Sequence, residues 1–133
     1  MNVEFRPVQH SELEPFRAAA RREHSGIDPL PSIRWFAAVS GTDILGCIGL
    51  LHASRDRVRV RGWYVRPDHR GQGLGMWLQE CANDWARDHG YRHIESTTRL
   101  WRVLERHGWS VLRPYTEAIG TKMTLDLADR EGR

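Results

Sequence analysis

Cysteine is scarce in this 133-residue sequence, and histidine is not arranged for metal binding. Cys47 lies inside an apolar stretch and Cys81 among the apolar positions of a helical pattern, so we interpret both as reduced core residues rather than as a disulfide. The seven histidines include no pair at metal-ligand spacing within one predicted helix, because the helix ends at Gly90 between His89 and His93, and they lie near no cysteine pair. The sequence therefore predicts no metal site.

Long apolar runs are also missing. No segment approaches the roughly 18 consecutive apolar residues of a membrane-spanning helix. The first six residues also lack a basic segment followed by an apolar stretch. We therefore expect a soluble, cytoplasmic protein without a membrane partner. The length and the 40% apolar content predict one domain over residues 1–133, with a charged and frayed end at 129–133.

Lysine is almost absent. Lys122 is the only lysine among the 20 lysine and arginine residues. The net charge of +3 and the preference for arginine suit an anionic ligand, since a guanidinium group binds phosphate through two hydrogen bonds. A polyphosphate ligand and nucleic acid both fit this composition. A general coding preference for arginine fits it equally well, because the arginines of segment 55–61 alternate like a solvated strand face.

The first half of the chain predicts a strand, a helix and an antiparallel meander. Residues 3–7 predict the strand, and Ser11 predicts the cap of a helix that runs to about His24, with Glu14 completing a capping box. Gly62 predicts a local distortion in the third strand of the meander. The three meander strands are predicted over 35–40, 44–52 and 57–65.

The second half begins with a strongly amphipathic helix that ends at His89 and Gly90. A strand over 92–97 follows, and the crossover through the helix predicts that it is a parallel neighbour of the last meander strand. The remaining elements are a helix capped by Thr98 and strands over 109–113 and 119–127. The fold class is therefore α/β, with a mixed central sheet of six to seven strands and helices on both faces.

The segment between the meander and the amphipathic helix carries the strongest functional signal. It spans residues 65–75 and reads VRPDHRGQGLG. Pro67 ends the strand, while the three glycines let the backbone take positive φ and approach a ligand closely. At a helix start the unpaired amides and the positive end of the dipole favour an anion, and Arg70 adds a further donor.

Two common glycine-rich phosphate loops do not fit the context of this segment. A dinucleotide-binding fold places its loop after the first strand of a parallel sheet, whereas three antiparallel strands precede the loop here. The phosphate loop of nucleotide hydrolases requires lysine followed by serine or threonine, and Met76 and Trp77 stand in those places.

At these residues the sequence resembles the GNAT superfamily of N-acyltransferases. Arg70, Gly73 and Gly75 match the family hallmark, which is Arg or Gln, two residues, Gly, one residue, then Gly or Ala. The Val-x-Pro lead-in is matched at 65–67, and residues 108–109 stand where the family usually has Gly-Phe. The resemblance covers essentially the whole chain in the order of its elements.

The resemblance implies an enzyme that transfers acetyl from acetyl-CoA to an amine by direct attack in a ternary complex. The pantetheine arm would lie in a gap between the fourth and fifth strands, and an amide near Tyr64 would polarise the thioester carbonyl. The acceptor would be a small-molecule or protein amine, which the sequence does not identify. The residues implied to bind the coenzyme are Trp63, Tyr64, Val65, Arg70, Gly71, Gln72, Gly73, Leu74, Gly75, Met76 and Thr97.

The sequence departs from the family pattern at two chemical positions. Leu104 stands where many relatives carry a tyrosine that protonates the leaving thiolate, and Thr97 replaces an asparagine common at the end of the fifth strand. Tyr64, Tyr115 and Glu95 are the candidate catalytic residues that could substitute. A packing, surface or solvated role is the alternative for each of them.

Three functions stay open at this point. The first is an N-acetyltransferase, and the second is a module that holds acyl-CoA without catalysis. The third is a nucleic-acid-modifying enzyme on the same scaffold, whose affinity would fall steeply with salt. The exposed ends of the sheet also leave room for a homodimer.

Overall fold

The computed structural model describes residues 2–127, so the predicted frayed end at 129–133 lies outside the described residues. Residues 2–127 form seven strands and four α-helices, with short 3-10 turns at Glu14–Phe16 and Pro67–His69. The strands are β1 (Glu4–Val8), β2 (Ile33–Ser40), β3 (Asp43–Ser54), β4 (Arg57–Val65), β5 (His93–Thr98), β6 (Ser110–Pro114) and β7 (Thr121–Asp126). The helices are α1 (His10–Leu13), α2 (Arg17–Arg22), α3 (Leu74–Asp88) and α4 (Trp101–Arg106).

The strands form one mixed sheet in the order β1-β2-β3-β4-β5-β7-β6. β2 pairs antiparallel with both β1 and β3, and β7 pairs antiparallel with both β5 and β6. β4 and β5 are parallel, with residues 57–59 opposite residues 93–95. The predicted mixed α/β sheet and its parallel crossover are therefore confirmed.

The chain divides into two compact units. The first unit comprises Met1–Leu51 and Arg61–Ala82, and the second comprises His52–Val60 and Asn83–Arg133. The single domain over 1–133 stays a prediction. Within the described residues, no helix is long and apolar enough to cross a membrane.

The first unit has an apolar core. Strand β2 is buried along almost its whole length, as expected for a strand covered on both faces. Cys47 is buried and carries a free thiol, and burial raises the pKa of this thiol to about 12. Its side chain therefore acts as a small apolar group, as the sequence predicts. The buried members of this core cluster are Leu13, Ala20, Ile27, Ile33, Trp35, Cys47 and Tyr64.

The first helical segment differs from its prediction. α1 begins at His10, and the Glu12 carboxylate accepts a hydrogen bond of 2.8 Å from the Gln9 amide, so Ser11 is not the cap. A 3-10 turn separates α1 from α2, which ends at Arg22. The single helix from Ser11 to His24 is therefore wrong, because Pro15 lacks an amide hydrogen and its ring crowds the carbonyl four residues earlier.

The second unit contains one edge strand of the sheet, β6. All five residues of β6 are exposed, as befits a terminal strand. α4 begins at Trp101 rather than directly after Thr98, whose hydroxyl instead accepts a hydrogen bond of 3.0 Å from the Leu100 amide in the preceding turn. The helix stops before Gly108, which adopts φ +93°, as the sequence predicts.

Candidate functional site

The glycine-rich segment forms an exposed loop between β4 and α3. Gly71 and Gly73 both adopt φ +80°, a left-handed conformation in which other residues are strained. The first hydrogen bond of the helix runs from the Trp77 amide to the Gly73 carbonyl at 3.0 Å. The amides of 74–76 precede that bond, so they have no partner within the helix.

The surroundings of the loop leave these amides accessible. Residues 70–73 are exposed, and a Cβ atom built on Gly71 or Gly73 meets no described atom within 4 Å. At Gly75 a Cβ atom would lie 3.7 Å from the Trp63 ring, an ordinary van der Waals contact. Packing within the protein therefore does not require glycine at position 75. Amides at the positive end of a 15-residue helix favour an anion, so the anion site at this loop stays a prediction.

Arg70 stabilises the loop through contacts within the first unit. Its Nε donates to the Val65 carbonyl at 2.8 Å, and its Nη2 lies 2.7 and 3.0 Å from the two carboxylate oxygens of Glu23. The guanidinium carbon also lies 5.5 Å from the centroid of the Tyr64 ring. These protein groups hold the side chain, so its contact with a ligand stays a prediction.

The last residues of β4 show which backbone groups a ligand can use. The Trp63 carbonyl accepts a hydrogen bond of 2.6 Å from the Ser25 hydroxyl, and the Val65 carbonyl accepts the bond from Arg70. A ligand that pairs with this stretch would compete with those side chains for the carbonyls. The amides of the stretch are therefore the groups expected to receive it.

The predicted catalytic residue of the first unit is largely buried. The side chain of Tyr64 belongs to the apolar core and the residue is 5% exposed, which favours the packing alternative for its ring. A catalytic role at Tyr64 stays a prediction, and it concerns the backbone amide that would polarise the thioester carbonyl, not the side chain.

The remaining candidates lie in the second unit. Tyr115 follows β6, is 45% exposed, and donates its amide hydrogen to the Gly120 carbonyl at 3.0 Å. Thr97 is exposed on β5 and lies opposite Lys122 of β7. Leu104, at the place of the family's tyrosine, is fully buried, so this position serves packing.

Glu95 lies in a cationic cluster, which we define as Arg57, Arg59, Glu95 and Lys122. The Glu95 carboxylate is almost fully buried and accepts a short hydrogen bond from Arg57. Arg59 Nη2 lies 3.5 Å and Lys122 Nζ lies 3.4 Å from its Oε1 atom. Burial raises the pKa of the carboxyl group, but the Arg57 hydrogen bond and the charges of Lys122 and Arg57 outweigh it and hold the pKa below the ordinary value.

This environment makes Glu95 a weaker general base than the sequence suggested, because a carboxylate with a lowered pKa binds a proton less readily. The sequence does not predict the three cations as a group. Two signals were present, since Arg57 and Arg59 alternate along one strand and Lys122 is the single lysine. Neither signal indicated that the cations surround one buried carboxylate.

Among residues 2–127, no group of three or more His, Cys, Asp or Glu side chains is arranged to hold a metal ion.

Several solved structures share this fold. The PaiA N-acetyltransferase of Thermoplasma acidophilum, in complex with coenzyme A, has a TM-score of 0.74 at 16% identity, covering 95% of this chain and 99% of that chain. A GNAT family acetyltransferase of Elizabethkingia anophelis, with acetyl-CoA bound, has a TM-score of 0.68 at 15% identity over 94% of this chain and 98% of that chain. These likenesses show an acetyltransferase-type α/β fold.

The sequence comparisons then give the family. The sequence model of the Acetyltransferase (GNAT) family matches residues 3–109, so the chain belongs to this family. An aminoglycoside N(6')-acetyltransferase type 1 of Klebsiella aerogenes is 44% identical over 41 residues, which are 31% of this chain. A protein of the same description from Stenotrophomonas maltophilia is 39% identical over 41 residues, also 31% of this chain. The chain spans 27% of the length of each of these curated relatives.

Proposed function

We propose that the protein is an acyl-CoA-dependent N-acyltransferase that transfers acetyl from acetyl-CoA to an amine by direct attack in a ternary complex. The observation that carries this proposal is the exposed loop at 70–73, whose left-handed glycines lead into the unpaired amides of α3. Family membership and the coenzyme complexes of two proteins with this fold support the same assignment.

The groups for this reaction are distributed along β4 and the loop. The pyrophosphate binds the amides of residues 71–76, and the pantetheine arm pairs with the amides of Trp63 and Val65. The amide near Tyr64 polarises the thioester carbonyl. The neutral amine nitrogen then forms a bond to the carbonyl carbon while the carbon–sulfur bond breaks, which gives the amide product and the coenzyme A thiolate. The proton that the nitrogen loses goes through solvent to that thiolate, so the net products are the amide and the coenzyme A thiol.

The missing tyrosine does not exclude this reaction. A thiol has a pKa of about 8.5, so a thiolate can leave without prior protonation by an enzyme group. Positioning of the two substrates and polarisation of the carbonyl can supply much of the rate. Tyr115 is the remaining candidate for a proton donor because its side chain is exposed and would be free to meet a substrate.

Calorimetric titration and a thiol-release assay over a panel of amines test the proposal. We expect acetyl-CoA to bind, and coenzyme A to be released only when an amine acceptor is present. Tyr115→Phe should keep coenzyme affinity and lower kcat if its hydroxyl protonates the leaving group. Failure of coenzyme A and acetyl-CoA to bind would reject the assignment.

The second candidate is a module that holds acyl-CoA without catalysis. The observations that favour it are the fully buried Leu104 and the ion-paired Glu95, since neither position supplies a ready acid or base. Tight coenzyme binding with no thiol release from any amine would identify this function. A cytoplasmic location and a homodimer also stay proposals.

A nucleic-acid-modifying enzyme is less well supported. Three arginines along β4 and the loop each pair with a carboxylate of their own instead of continuing a solvated row. Arg61 contacts Asp28, Arg66 contacts Asp68, and Arg70 contacts Glu23.

A further inference from the structure

We infer that the amine acceptor carries an anionic group, a carboxylate or a phosphate, and that Arg57, Arg59 and Lys122 of the cationic cluster bind this group. The inference rests on the proposed function, because it concerns the second substrate of the same transfer.

The cationic cluster carries two positive charges in excess, since three cations share the single carboxylate of Glu95. That carboxylate is 4% exposed, whereas the side chains of Arg57, Arg59 and Lys122 are 36%, 42% and 26% exposed. The negative charge is therefore hidden from solvent and the positive charges are not. A ligand that approaches this surface meets mainly guanidinium and ammonium groups.

Two polar groups of this region lack hydrogen-bond partners among the described residues. The buried Nε of Arg59 makes no hydrogen bond, although Glu95 Oε1 lies 3.5 Å away in poor geometry, and the buried hydroxyl of Thr124 is also unsatisfied. Thr124 lies directly opposite Glu95 in the antiparallel β5–β7 pair, so the two side chains lie on the same face. Buried polar groups without partners are costly, and an anion that accepts from them would remove that cost.

A fourth cation extends the same face. Arg113 of β6 is exposed and lies directly opposite Lys122 of β7 in an antiparallel pair. Like charges in directly opposed positions destabilise a sheet. A bound anion offsets this repulsion, which gives a second and independent reason to place a negatively charged group here.

The proposed function does not use the positive charges of the cationic cluster to bind the coenzyme, so they are available to bind the acceptor. The pyrophosphate of the coenzyme is assigned to the backbone amides of residues 71–76, and none of the four side chains of the cationic cluster is assigned to the coenzyme. A polyamine acceptor would be repelled by the surplus positive charge. An amine with a carboxylate or phosphate would instead gain charge-assisted hydrogen bonds.

Matched pairs of acceptors in the thiol-release assay test the inference. The pairs are phosphoethanolamine with ethanolamine, and β-alanine with β-alaninamide. We expect the anionic member of each pair to have a kcat/KM about tenfold or more above its neutral partner, as one charged hydrogen bond would give. Inorganic phosphate should compete with the amine and not with acetyl-CoA.

Substitutions within the cationic cluster test whether it causes the preference for anionic amines. Arg59→Gln and Lys122→Gln should each raise KM for the anionic amines about tenfold, whereas neutral amines should change less than about twofold. Arg59→Lys keeps the charge and should lose less. Arg102→Gln is the matched control, because it removes one exposed arginine of the same unit that lies on α4, with its guanidinium 4.5 Å from the Trp101 ring.

Four outcomes would overturn the inference. Thiol release that does not distinguish the members of either pair would leave the proposed function intact and reject an anionic acceptor. Loss of acetyl-CoA affinity in Arg59→Gln, with amine KM unchanged, would assign the charges to the coenzyme. Salt-sensitive competition by a short DNA duplex would assign them to nucleic acid. Absence of coenzyme binding or of thiol release would reject the proposed function and this inference together.

Thermal melting shows whether each variant is folded. If Arg59→Gln is unfolded, Arg59→Lys takes its place in the comparison with the wild type.

Discussion

The indole Nε1 of Trp63 donates a hydrogen bond of 2.9 Å to the Gly75 carbonyl. This bond ties the end of β4 to the first turn of α3, and both segments are assigned to the coenzyme. It therefore fixes the strand that would receive pantetheine relative to the helix start that would receive pyrophosphate.

Trp63→Phe should keep most of the ring packing and remove this bond. We expect the free energy of unfolding to fall by about 1 kcal/mol, the typical value for one hydrogen bond. Affinity for coenzyme A should fall at the same time, because the first turn of α3 is less well held. Urea denaturation and calorimetric titration measure the two effects, and full coenzyme affinity in a destabilised variant would contradict the positioning role.

Gly73→Ala and Gly75→Ala should change stability in opposite directions. Alanine at position 73 is forced into the left-handed region and should lower the free energy of unfolding by about 1 kcal/mol or more. Alanine at position 75 meets only ordinary contacts in a helix and should be neutral or stabilise by up to about 1 kcal/mol.

Coenzyme affinity should separate the two variants. In Gly73→Ala the loop conformation is strained, so the affinity should fall. Gly75→Ala should keep its affinity, because the family hallmark accepts alanine at the place of Gly75, and it is therefore the matched control. Calorimetric titration measures both affinities, and unchanged coenzyme affinity in Gly73→Ala would place the pyrophosphate elsewhere.

The parts of the site that the sequence predicts are those fixed by local pattern. The open loop at 70–75 and the start of α3 follow from Pro67 and three spaced glycines, whose conformational effects act over a few residues. The kink at Gly62 is predicted for the same reason and is present, with φ +65°.

The contacts that the sequence does not predict join distant positions. Arg70 pairs with Glu23, which lies 47 residues away, and Arg57 pairs with Glu95, which lies 38 residues away. Strand register decides the Arg57–Glu95 pair, and alternation along one strand does not specify the register of its neighbour. The Arg70–Glu23 pair joins a loop to the end of α2, which no local pattern specifies. The alternating arginines therefore predicted a solvated face, although Arg57 and Arg59 share a buried carboxylate.

The two cysteines should differ in reactivity. The Cys47 thiol is buried and its pKa is raised to about 12, whereas Cys81 is partly exposed. Because the thiolate is the reactive form, a maleimide at pH 7 should label Cys81 first and Cys47 only on unfolding. Mass spectrometry of partly labelled protein, compared with Cys81→Ala, measures the order. Rapid labelling of Cys47 in the folded protein would show that the core of the first unit opens readily.

Glu95→Gln should destabilise the second unit and change its response to acid. The pKa of Glu95 is lowered in the folded state, so the unfolded chain binds a proton more readily at acidic pH. The stability that this carboxylate contributes is therefore fully present above its ordinary pKa of about 4.3. It is lost as the pH falls from there through the lower pKa of the folded state.

At neutral pH Glu95→Gln leaves three cations without their shared counterion. We expect a loss of about 2 kcal/mol, less than for a fully buried pair because the arginine heads reach solvent. The variant should also lose stability less steeply than the wild type between about pH 5 and pH 3, since the amide does not titrate. Denaturation curves across this range measure both effects, and Glu117→Gln, an exposed glutamate of the same unit, is the control. Parallel pH profiles for Glu95→Gln and wild type would show that the cations do not stabilise the ionised carboxylate.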